Sequence, residues 1–321
     1  LLKIPLNYSK KLKKLKIPSK KISAYLSLVR LPNLFTLPGD LICGLLLSGA
    51  GKIDISFTYL IISSICAYIF GLIGNDIVDI EEDKESNPMR PLASGEISLT
   101  HAKIAKTIFF LSSLFFAYFA SKTSLSVMII LLLFIITYNN FLKNNSILGP
   151  ILLASCRALN VILGYSFHSL PFSLSSIMNL ITFIFLYFLY IFGLSFAAHK
   201  ERNSDLFSFS IGVFFSFGAT LIFLSSFYKK VFYIFKYTGH LAPSFYSGII
   251  ASFVLILLFA SFFRKIGDQK KDISFNIGLL IAATILFQSI ALSKNASTQE
   301  SWVILAIFPL AIFASRFFKG S

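Results

Sequence analysis

Six of the chain's 14 acidic residues, Asp76, Asp79, Glu81, Glu82, Asp83 and Glu85, crowd into one short stretch directly after an apolar run that ends near Asn75. If a helix continues through that stretch, Asp76, Asp79 and Asp83 point at about 100°, 40° and 80° relative to Asn75, so all four share one face. Glu82 lies at the edge of the face and Glu81 points away. Carboxylates crowded beside a low-dielectric layer repel one another and are driven toward protonation unless a cation compensates. Oxygen donors of this kind, with an asparagine carbonyl among them, suit Mg2+, which takes one or two carboxylates and keeps positions for water and phosphate oxygens. At a bilayer surface such an open site points to a diphosphate attached to a lipid. A solvated acidic loop is the alternative.

The elements that must position this cluster are membrane helices. The chain is 56% hydrophobic and 13% charged, with a mean hydropathy of +0.78, well away from the balance of soluble domains. A hydrocarbon core of roughly 30 Å requires about 20 apolar residues per helical span. Ten runs qualify, over about 24–48, 57–75, 103–120, 124–141, 147–166, 175–197, 208–228, 243–262, 274–292 and 301–318. Continuous runs rather than ten-residue alternation select helices over a barrel. The expected fold is therefore all-α, a polytopic membrane bundle of 9–10 transmembrane helices. The first run is too long for a signal peptide and has no small-residue cleavage site, so it reads as a retained span. Cys43, Cys66 and Cys156 all lie in apolar runs without metal spacing and read as small hydrophobes.

The net charge of +15 reports orientation rather than nucleic acid, because positive residues gather on the cytoplasmic side of membrane proteins. With the N-terminus inside, one set of alternating segments collects most of the 29 lysines and arginines. The opposite segments hold Lys52, Lys122, Lys229, Lys230, Lys236 and Lys294, and Arg157 alone falls within a span. Residues 1–22 read as a basic cytoplasmic segment on anionic headgroups, each lysine contributing on the order of 1 kcal/mol. Residues 23–321 read as one transmembrane domain.

The string from Asn75 to Asp83, followed by Asn87-Pro88-Met89-Arg90-Pro91-Leu92-Ala93-Ser94-Gly95-Glu96-Ile97-Ser98, closely resembles the first aspartate-rich motif of the UbiA superfamily of intramembrane prenyltransferases, NDxxDxxxD and then RPLxxGxIS. The resemblance covers about residues 23 to 300. It implies a ring-like bundle around a central cavity, in which a prenyl group passes from a polyprenyl diphosphate to an unknown acceptor within the bilayer, with Mg2+ as cofactor. On the same basis Asn75, Asp76, Asp79 and Asp83 are expected metal ligands. A second family motif, DxxDxxxD, matches here only at Glu201 and Asp205, with Ala198 at its first acidic position. Those two lie about 40° apart on a helix and can serve one metal.

Fixed cations stabilise a departing diphosphate. Lys143 ends a tyrosine-to-lysine segment similar to the family's, Arg90 stands in the block after the first motif, and Arg157 opens a segment, running to Gly164, that resembles an arginine-to-glycine stretch of the family. These three are the expected diphosphate-binding residues, and Asp76, Asp79 and Arg157 the expected catalytic ones. An intramembrane charge such as Arg157 costs at least about 2.5 to 3.5 kcal/mol to desolvate, and a structural ion pair with Asp40 or with an acid of the cluster is the alternative role for it. Asp40, the lone acid of the first span, binds the acceptor or pairs with Arg157. No histidine has metal spacing; His199 reads as a headgroup contact. The altered second motif and the Arg157–Gly164 segment look most like a divergent UbiA-like branch encoded in the Ebo gene cluster. That resemblance keeps metabolite transport or trafficking open as an alternative, along with noncatalytic lipid binding.

Overall fold

The computed structural model describes residues 25, 28–49, 53–167, 173–201, 206–265, 273–294 and 298–317, and every regular element among them is helical. The first apolar run is not one span. It forms α1 (Leu31–Leu34) and α2 (Leu37–Leu47), each with a proline in its first turn, where a missing N–H costs nothing. Between them the Thr36 hydroxyl donates to the Asn33 carbonyl at 2.7 Å. At about 1.5 Å per residue α2 extends roughly 16 Å, half of the hydrocarbon core.

The chain then runs through α3 (Ile55–Val78), α4 (Ile80–Ser86), α5 (Leu99–Ala120), α6 (Lys122–Thr137) and a π-helical turn at Tyr138–Leu142. It continues through α7 (Leu148–Tyr165), α8 (Leu174–Glu201), α9 (Leu206–Thr238), α10 (Pro243–Lys265), α11 (Ile273–Lys294) and α12 (Thr298–Phe317). Helix starts follow the local chemistry: Asp54 caps α3 by accepting from the Phe57 N–H at 2.9 Å, and Ser98 caps α5 by accepting from the His101 N–H at 3.3 Å. Among the described residues eight helices are long and apolar enough to cross a membrane, and α2 and the Gln299–Phe313 part of α12 are shorter apolar helices. The expected all-α polytopic membrane bundle is borne out, and of its 9–10 expected spans eight reach spanning length among the described residues. The seventh expected span, 208–228, extends instead to Thr238, because helical periodicity outlasts the apolar run.

Neighbouring helices pack as antiparallel pairs, α3 with α5, α8 with α9, and α10 with α11. The bundle closes because α11 packs against α2 and α8 and α12 packs against α1. Closure puts α11 inside, with 78% of its apolar window buried, whereas α5 and α6, at 17% and 22%, leave most of their surface to lipid. Glycines bring α2 and α7 into close contact. A Cβ on Gly44 would stand 2.0 Å from the Val161 carbonyl oxygen, and one on Gly164 would stand 2.1 Å from that of Leu41. Small residues at membrane-helix crossings allow backbones to approach in this way.

Candidate functional site

The acidic face survives a break in the helix. Asp79 leaves helical geometry with φ −86° and ψ 0°, separating α3 from α4. Even so, its N–H donates to the Asn75 carbonyl at 3.0 Å, and the Asp83 N–H donates to the Asp79 carbonyl at 2.8 Å. The four-residue register therefore runs through, and Asp76, Asp79 and Asp83 are 5%, 5% and 2% exposed. Glu81 and Glu82 point to the exposed side and Asn75 is half-buried, as helical spacing requires.

Each buried carboxylate meets a base from another segment. Arg30 lies 3.5 Å from Asp76 Oδ1, Arg90 donates to Asp83 Oδ2 at 2.6 Å, and Lys143 donates to Asp79 Oδ1. Asn75 Nδ2 donates to the other Asp79 oxygen at 3.0 Å. Arg90 is held by a compact loop: its N–H bonds the Asn87 carbonyl, and the neighbouring Leu92 and Ile97 are buried against Leu28, Ile69 and Ile73. Lys143 is aimed by the π-helical turn, whose closing bond runs from the Lys143 N–H to the Tyr138 carbonyl at 2.9 Å. Asn139 ties that turn to α3 by donating to the Gly71 carbonyl at 2.8 Å. A single π turn inside an α-helix is frequent at functional positions, because the extra residue rotates the side chains C-terminal to it.

These bases open onto a cavity of about 470 Å³. Arg30, Asn75, Asp79, Arg90 and Lys143 line it at the acidic end, and Ala67, Leu131, Ile135, Leu153, Ile191, Leu194, Ile277 and Ile281 supply apolar wall. Asp76 and Asp83 lie behind that lining, and their Oδ1 atoms are buried without a hydrogen-bond partner. Among the described residues no three His, Cys, Asp or Glu side chains gather closely enough to enclose a metal ion. The helix α8 ends at Glu201; the Glu201 side chain and the whole of Asp205 lie outside the described residues, as do His168 and the His199 side chain.

Farther along α7, Arg157 and Thr36 line the same cavity and belong to a buried polar cluster. Arg157 Nη2 donates to Asp40 Oδ1 at 3.1 Å and to the Tyr187 hydroxyl at 2.9 Å, and Nη1 donates to Thr36 Oγ1 at 3.0 Å. Asp40, 0% exposed, also accepts from Tyr187 OH at 2.6 Å, from Gln288 Nε2 at 2.7 Å and from Asn160 Nδ2 at 3.0 Å. Of its two expected roles, the structure displays the pairing with Arg157. Arg30, Tyr187, Asn160 and Gln288 are the residues that sequence reasoning missed. Only Arg30 carried a usable signal, a cation just before the first proline-started helix.

The profile of the UbiA prenyltransferase family matches residues 40–282. The chain belongs to this family. The resemblance seen in the segment Asn75–Asp83 and the block at Arg90 is thereby borne out. Digeranylgeranylglyceryl phosphate synthase of Methanocaldococcus jannaschii is 41% identical over 86 residues, 26% of this chain and 30% of that protein. The enzyme of the same name from Methanococcus aeolicus is 33% identical over 138 residues, 42% of this chain and 48% of that protein. The chain thus spans about half the length, or less, of the curated relatives it matches. A solved structure of a digeranylgeranylglyceryl phosphate synthase in membranes superposes with a TM-score of 0.51 at 21% identity, covering 94% of this chain and 99% of that one. That likeness establishes the common UbiA fold.

Proposed function

We propose that the chain is a Mg2+-dependent prenyltransferase that ionises a polyprenyl diphosphate and passes the allylic group to an acceptor held in the same cavity. The observation that carries this is the convergence of Asp79, Asn75, Lys143, Arg90 and Arg30 at one end of a cavity whose wall is otherwise largely apolar. A diphosphate at the polar end and an isoprenoid chain along the wall would each meet the solvent they need.

The donor set fits Mg2+. Two buried carboxylate oxygens, Asp76 Oδ1 and Asp83 Oδ1, lack a hydrogen bond although each carboxylate has a cationic side chain beside it, and a buried oxygen left so is costly unless a further donor or cation meets it. Mg2+ is bound through one or two carboxylates with substrate oxygens completing the shell, so a protein cage of three or more is not required. We assign Asn75, Asp76, Asp79 and Asp83 as the residues that would hold it, with Glu201 and Asp205 of the second motif as further candidate ligands. Bound there, Mg2+ would neutralise the diphosphate as it becomes the leaving group. Lys143 and Arg90 would hold the diphosphate oxygens as charge develops on them. The apolar wall would keep water from the cationic carbon. Arg157 would present its Nε edge, which is buried and without a partner, to an anionic group in the cavity. Asp40 would act by holding Arg157 in place.

The relatives' name makes geranylgeranyl donors and glyceryl phosphate acceptors the first pair to try. Purified protein in nanodiscs should release diphosphate from a polyprenyl diphosphate only with Mg2+. Asp76→Ala and Asp79→Ala should each abolish release, and undiminished turnover in both would reject the assigned site.

A further inference from the structure

Three carboxylates on one helical face each meet one base, and the three bases come from three separate segments: the turn before α1, the loop after α4 and the end of the π turn. All three bases also line the cavity, so each is within reach of both a carboxylate and the place where an anion would sit. Arg30 is the loosest of them. It lies at 3.5 Å from Asp76 Oδ1 without a hydrogen bond to that atom, and its side chain is 30% exposed. It is also the one non-glycine residue with positive φ among the described residues, at φ 46° and ψ 56°. That backbone conformation is unfavourable for a residue with a Cβ, and where it persists it clusters at ligand sites.

We propose that Arg30 is a counter-ion exchanger: it neutralises Asp76 until Mg2+ and a diphosphate arrive together, then turns its guanidinium onto the diphosphate and leaves Asp76 to the metal. Lys143 on Asp79 and Arg90 on Asp83 make the same exchange. This rests on the assignment of the site to Mg2+ and a prenyl diphosphate. Its logic is charge balance. A metal ion alone on Asp76 would face the Arg30 cation across the same oxygen, and a diphosphate alone, drawing the three bases onto itself, would leave the three carboxylates uncompensated. Together each ligand removes the other's obstacle, and because coupling is reciprocal each must strengthen the other's binding. Arginine suits the exchange, since its planar fork pairs equally well with carboxylate and phosphate oxygens.

The test is binding, read without turnover. Mn2+, whose free-ion electron paramagnetic resonance signal vanishes on binding, is titrated into the full chain with and without inorganic pyrophosphate, and matching mixtures without protein serve as blanks. Pyrophosphate should tighten Mn2+ binding by about tenfold or more, within the usual span of coupling between ligands. Arg30→Gln should move the two ligands in opposite directions, tightening Mn2+ alone and weakening pyrophosphate, and Arg30→Lys should restore much of the coupling. A structural role would weaken both ligands together; that result, or no change in either, overturns the exchange. Wild-type protein that binds both ligands without coupling overturns it too, while leaving the prenyltransferase assignment standing. Protein that binds neither overturns both.

Discussion

Asp40 sits at the centre of the bundle with no solvent exposure, and four side chains from three other helices meet its carboxylate. Breaking a buried ion pair by removing one partner leaves the other charge uncompensated, which costs about 3–5 kcal/mol. Arg157→Leu should therefore lower unfolding stability in detergent by about that amount. Adding Asp40→Asn should recover a large part of the loss, because both charges are then gone. A double variant no more stable than Arg157→Leu alone would mean that the pair is not what the helices lean on. Tyr187→Phe removes one bond to the same carboxylate and should cost about 1–3 kcal/mol by the same measurement. The pairing of Asp40 with Arg157 was legible in the sequence because two lone charges in apolar runs have few other partners. Tyr187, Asn160 and Gln288 were not legible. Single polar residues in apolar helices have no spacing signature, and 248 positions separate Asp40 from Gln288.

At the scale of elements, two local devices set the geometry. The first is the glycine contact between α2 and α7, where an added Cβ would enter backbone at 2.0–2.1 Å. Backbone cannot yield as a flexible side chain would, so Gly44→Leu or Gly164→Leu should abolish a monodisperse peak in size-exclusion chromatography. Gly218 in α9 has nothing within 4 Å of its added Cβ, and Gly218→Ala should hold or raise stability by up to about 1 kcal/mol. The second device is the π turn. Deleting the exposed Asn140 should convert the turn to regular α-helix and rotate Lys143 by about 100° away from Asp79. The variant should keep its thermal midpoint within a few degrees yet lose pyrophosphate binding; retained binding would show that the turn does not aim the lysine. The acidic face itself was readable, since Asp76, Asp79 and Asp83 keep helical spacing across the break while Glu81 and Glu82 fall outside it. The division of the first span was signalled by Pro32 and Pro38, but hydropathy alone merges 24–48 into one run. The π turn has no compositional mark, since Tyr138–Leu142 reads as an ordinary helix end.

For the whole molecule, closure of α11 and α12 onto α1 and α2 fixes which ends of the helices share a side. The acidic cluster, the loop after α4, the start of α5 and the end of α6 lie at one end; Thr238 at the end of α9 lies at the other, because helix direction alternates along the chain. Charge predicts which end faces the cytoplasm. Basic residues concentrate on the acidic-cluster side, and they resist translocation far more than acidic ones do. Met89, 89% exposed in the loop after α4, and Lys236, exposed near the end of α9, should therefore stand on opposite sides of the bilayer. Cysteine placed at each in turn, in a Cys156→Ala background that leaves only buried Cys43 and Cys66, reports this through a membrane-impermeant maleimide. Lys236→Cys should label in intact cells, and Met89→Cys only after the membrane is opened. The reverse pattern would place the diphosphate end of the cavity outside the cell, away from the cytoplasmic pool of prenyl diphosphates that the proposed reaction must draw on. Labelling of both in intact cells would break the alternation on which the ring closure depends.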